Sequence, residues 1–145
     1  MVHPTVPFFF LCMAYHHALG VENYGQLAQA IASGKLINVE ADIMFPRPIA
    51  IDRIFDVTIR STGAHVFAMS GGGDGTLDKE GVQIFIVSGG STVILQQLSI
   101  RNAWTGTLTG GAITLSDSGT FLIASRCDFT SNYAKVVFLP LQFST

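Results

Sequence analysis

Sliding residues 81–102 forward by 29 positions lays them on residues 110–131 without a gap, and this self-match constrains the fold more than any other feature. Gly81 meets Gly110, Ile84 meets Ile113, Ile86 meets Leu115 and Gly90 meets Gly119. Val93 then meets Leu122, Ile94 meets Ile123, Leu98 meets Cys127 and Ile100 meets Phe129. Apolar residues fall on apolar residues and turn glycines fall on glycines. A looser copy lies upstream, where residues 36–39, 49–51 and 57–59 repeat the three-strand order. The pieces alternate in polarity and are bounded by Gly, Ser, Asp or Pro, as short strands are. Polar loops are expected at 63–80 and 103–109, after the first and second tiers.

Three strands per tier, stacked on one another, describe a chain winding round a shared core as a parallel β-helix, each tier about 4.8 Å above the last. About three tiers are expected over residues 36–134, with inward ladders Val57, Leu98, Cys127 and Ile59, Ile100, Phe129. A β-sandwich also uses short strands and turns, but it gives no reason for a gapless repeat. Ahead of the tiers, ENYGQLAQAIAS at 22–33 sets Tyr24, Leu27, Ala28 and Ile31 on one helical face, with Gly34 suited to the left-handed stop. The fold class is therefore all-β, with a short N-terminal capping helix within 21–35.

Composition narrows the function. The 145 residues allow one domain. Only 12% are charged, against roughly 25% in an average globular protein, while 48% are hydrophobic, so the chain is not disordered. Eight Lys and Arg against ten Asp and Glu give a net charge of -2, which offers no field for nucleic acid. Residues 6–15 are apolar but far short of the roughly twenty residues that span a bilayer. With Ala18, Leu19 and Gly20 behind them, residues 1–20 read as a signal peptide or apolar leader, which implies secretion. Two cysteines, Cys12 and Cys127, make no disulfide framework and no zinc spacing.

Gly110-Gly111-Ala112-Ile113 followed by Phe129-Thr130-Ser131-Asn132 resembles the alternating GGAI and FxxN repeats of chlamydial polymorphic outer membrane proteins and related right-handed β-helix repeat proteins. The likeness extends over roughly residues 22–134. It implies a right-handed parallel β-helix of the pectate lyase-like type, exposed at a cell surface and acting in adhesion, display or structural interaction. A further GGAI does not follow Ala134; residues 135–145 read KVVFLPLQFST instead. That departure suggests a fragment of a longer protein, a truncated gene model, or a terminal tier that self-associates through its edge. Partners in keeping with the resemblance are a surface protein or a carbohydrate.

The rival reading is an N-terminal fragment of a pectate lyase-like or glycosidase-like enzyme, whose carboxylates would gather on one outer face. Asp52, Arg53, Asp56 and Arg60 crowd one segment, yet nothing in their spacing fixes both carboxylates on one side. Gly71-Gly-Gly-Asp74-Gly-Thr76 resembles half of a glycine-aspartate calcium repeat, so calcium at Asp74 is the one metal to test. The motif occurs once, which suits a turn better, and no other cofactor is expected. Asn102 and Asn132 each end a strand triplet, where Asn tolerates left-handed corners and can bond adjacent tiers. Trp104 on the 103–109 loop is the candidate binding residue, as a sugar platform or a protein contact.

Overall fold

The computed structural model describes residues 18–73, 81–105 and 111–134; most of the leader, Asp74 and the rest of the calcium motif after Gly73, Gly110 and the 135–145 segment lie outside the described residues. The elements in chain order are β1 Leu19–Val21, α1 Tyr24–Ala30, β2 Leu36–Val39, β3 Ile43–Met44, β4 Ile49–Asp52, β5 Val57–Ser61 and β6 Phe67–Ser70. They continue with β7 Phe85–Ser88, β8 Thr92–Gln96, β9 Leu98–Arg101, β10 Trp104–Thr105, β11 Ile113–Leu115, β12 Phe121–Ser125, β13 Asp128–Thr130 and β14 Tyr133–Ala134.

The strands form parallel sheets throughout. The first sheet runs β1-β2-β5-β8-β12, the second β3-β6-β9-β13, the third β4-β7-β11, and β10 pairs with β14. Each pass of the chain therefore adds one strand to the first, second and third sheets in turn: β2, β3, β4, then β5, β6, β7, then β8, β9, β11. Alternation in the strands decides which side is buried. Val57, Ile59 and Ser61 of β5 are buried while Thr58 and Arg60 between them are not. In β8 the buried residues are Val93 and Leu95.

The register corrects the expected ladders. Val57 lies beside Val93, and Ile59 beside Ile37 and Leu95; Leu98 lies beside Phe67, and Ile100 beside Met69 and Phe129. The physical reason is that Val57 opens a new pass instead of closing the first one. Two short strands produced the misplacement: β3, two residues long before Phe45-Pro46, and β6, which lies inside the expected 63–80 loop. Phe129 shares its ladder with buried Ile100 but is 47% exposed, because among the described residues no strand lies on the far side of β13. Cys127 is only partly buried against the core.

The gapless repeat also slips in one strand. Leu122 lies beside Val93, 29 residues apart, but Ile113 lies beside Phe85, 28 apart, so Ile84 and Ile113 are not partners. The difference sits in the corner between the third and first sheets, residues 88–91 in one pass and 116–120 in the next. Buried Ser91 closes the shorter corner by accepting from the Ile54 amide at 3.0 Å and donating to the Ile51 and Ser88 carbonyls.

Helix α1 is capped by Asn23, whose side chain accepts from the Gln26 amide at 3.0 Å. Its buried residues are Leu27 and Ala30, and Ala28 is exposed, so the helical face is rotated from the expected one. Tyr24 meets Phe45 edge-on at 5.5 Å, and Phe45 meets Phe85 edge-on at 5.8 Å. That aromatic chain ties the helix to the third sheet. Among the described residues, no helix is long and apolar enough to cross a membrane.

Candidate functional site

The outward positions of the first sheet form a polar row. Asn38 of β2, Arg60 of β5, Gln96 of β8 and Ser125 of β12 lie side by side in register, about 4.8 Å from strand to strand. Where these strands turn toward the second sheet, a groove of about 480 Å³ opens along the row. Arg60 and Thr62 line it from β5 and the turn after it, Gln96 and Gln97 from the end of β8, and Ser125 and Arg126 from the end of β12.

Local geometry holds this groove open. Gln97 and Arg126 occupy equivalent corners 29 residues apart, both with φ of +55°, a left-handed conformation that ordinarily favours glycine. The Gln97 side-chain Nε2 donates to the Gly63 and His65 carbonyls at 3.0 and 3.1 Å, pinning the chain after β5. Arg60 Nε donates to Asn38 Oδ1 at 3.0 Å, which sets the guanidinium against the sheet. Neither Arg60 nor Arg126 pairs with a carboxylate among the described residues. The lining carries no carboxylate, imidazole or thiol, so the groove can hold a ligand but has no general base or nucleophile of those kinds.

The residues singled out in the sequence are dispersed. Trp104 is on β10, half-buried and opposite Tyr133 of β14, so it is a strand residue instead of a free loop platform. Gly111 lies so close to the Tyr133 backbone that an added Cβ would stand 2.8 Å from the Tyr133 carbonyl oxygen. Ala112 is buried and Ile113 half-buried beside Phe85. Asn102 takes φ of +56°, and its counterpart one pass later is Ser131 at +53°, not Asn132.

Asn132 acts across passes instead. Its Oδ1 accepts from the Ala103 amide at 3.0 Å and its Nδ2 donates to the Ile100 carbonyl at 2.7 Å. Asn132→Ala is expected to cost about 1–3 kcal/mol, because it strands two backbone groups at the corner before β10; the shift of the urea midpoint at unchanged slope measures it.

Asp52, Arg53, Asp56 and Arg60 do not assemble into a site. Asp52 Oδ1 accepts from Ser88 Oγ at 3.0 Å and its Oδ2 pairs with Arg53 Nε at 3.1 Å, while Asp56 is a left-handed corner. The Ser88 hydroxyl first, and Arg53 second, hold the Asp52 carboxyl below its ordinary value. A depressed carboxyl adds stability above the unfolded value of about 3.9 and loses it as the pH falls through the lower folded value. The stability difference between the native chain and Asp52→Asn should therefore be constant near neutral pH and shrink only in strong acid. Denaturation at stepped pH tests this; a small effect is expected for an exposed pair.

With this geometry in hand, comparison with known proteins adds no kinship: no family model, no curated protein and no solved structure matches the chain. The groove was not anticipated from sequence. Its signal was present in the 29-residue spacing that puts Gln97 and Arg126 at equivalent corners, but Arg60 could join them only once β5 was assigned to the next pass.

Proposed function

We propose that the chain is a segment of a right-handed parallel β-helix, secreted or held at a cell surface, that acts in adhesion, display or structural interaction without catalysis. The observation that carries this reading is the addition of one strand to each of three parallel sheets per pass. Left-handed corners support it by recurring 29 residues apart at Gly90 and Gly119, Gln97 and Arg126, and Asn102 and Ser131. A stack of that kind is a rigid scaffold whose outer face is free to vary.

Two measurements on the full chain test the reading. Inserting a second copy of residues 92–120 after Thr120 should lengthen the particle by about 5 Å in small-angle scattering while unfolding stays cooperative. Collapse of cooperativity would overturn the stacked architecture. Incubation with neutral and acidic polysaccharides should release no new reducing ends. Release that disappears in Asp52→Asn would instead favour the enzyme.

A further inference from the structure

We infer that the groove along the first sheet docks an acidic peptide segment of a partner protein, an inference that rests on reading the chain as an interaction module. Arg60, Gln96, Ser125 and Arg126 come from three successive passes, so the groove runs across the strands for about 10 Å. Same-side residues of an extended peptide recur at about 7 Å, a separation two arginines at the ends of this row can bracket. Guanidinium forks match carboxylates in two-point geometry. Arg126 is exposed and without a hydrogen-bond or ionic partner among the described residues, and the Arg60 bond given above uses only its Nε.

The chemistry of the lining selects among anionic ligands. No aromatic face lines the groove, which removes the stacking that single-stranded nucleic acid uses and the platform a sugar ring would rest on. Trp104, the sugar platform expected from the sequence, lies on β10, outside the groove lining. A short run of Asp or Glu needs only what is here: two cationic forks with an amide and a hydroxyl between them.

The experiment is fluorescence anisotropy of the full chain with a labelled oligoglutamate peptide, with an oligogalacturonate and a single-stranded oligonucleotide as parallel probes. Oligoglutamate should bind, weaken with added salt, lose about fivefold in affinity in Arg126→Gln and about 25-fold in Arg60→Gln/Arg126→Gln. Arg126→Lys should recover part of the loss, which a corner defect alone would not allow. Unchanged oligoglutamate affinity in both Gln variants overturns the inference, as does tighter arginine-dependent binding of the oligogalacturonate or oligonucleotide. Arg126 is exposed, so its single variant serves even where the double variant does not fold. Failure here leaves the non-catalytic reading standing, whereas release of reducing ends sinks that reading first.

Discussion

Gly71→Ala is expected to lose about 3 kcal/mol or more. A Cβ at Gly71 would press on the Val82 carbonyl and stand 2.7 Å from Ala103 Cα and 2.9 Å from the Asn102 carbonyl oxygen. All three are backbone atoms, so no side chain can swing aside. The same glycine is bonded on both sides, donating to the Arg101 carbonyl at 3.1 Å and accepting from the Val82 amide at 2.8 Å. Relief of the clash therefore means parting two passes. Gly34→Ala makes the contrast: its φ is +70° but nothing lies within 4 Å, so the loss should stay at roughly 1–2 kcal/mol, the cost of the left-handed backbone. Urea midpoints of the two variants compare close approach with conformation. Equal losses would mean that the packing at Gly71 is not as tight as described.

Phe85→Ala should cost about 3–5 kcal/mol. Phe85 is wholly buried, lies between Ile49 and Ile113 in the third sheet, and receives the edge of Phe45. Its removal leaves a void that three neighbouring strands cannot all close on. Phe85→Leu should recover more than half of the loss, since most of the volume is kept. Phe121→Ala, at a residue 60% exposed on the outer side of β12, should stay within about 0.5 kcal/mol. Thermal unfolding of the three variants ranks them, and a Phe121 loss comparable to that of Phe85 would mean that the outer face is covered.

Much of the architecture was legible because it is written as repetition. Val93 beside Leu122 and Ile100 beside Phe129 follow from the 29-residue spacing, and the short helix follows from the spacing of Tyr24, Leu27 and Ile31. What escaped has physical causes. Ile43 and Met44 form too short a strand for alternation to register, and β6 stands against the glycine run at 71–73, where local composition argues for a turn. The slip of Ile113 onto Phe85 arises because Ile84, Phe85 and Ile86 are all apolar, so pattern alone accepts two registers. The groove was hidden for another reason. Arg60 draws notice only beside Asp52 and Asp56, Gln97 and Arg126 draw none, and only the parallel pairing of β5, β8 and β12 makes the three neighbours.

Along each interior ladder, cover thins toward the last described pass. Met69 and Ile100 are sealed from solvent and Phe129 is nearly half open; Ile51 and Val87 are sealed and Leu115 is 47% exposed. Identical chemistry is thus not equivalent cohesion, because a residue in the middle has neighbours above and below and one at the margin has them on one side. The molecule consequently has a grain, like a stack of cards gripped at its centre. Among the described residues, a truncated side chain therefore costs least in β12 and β13, which have a partner strand on one side, and most in the strands flanked on both.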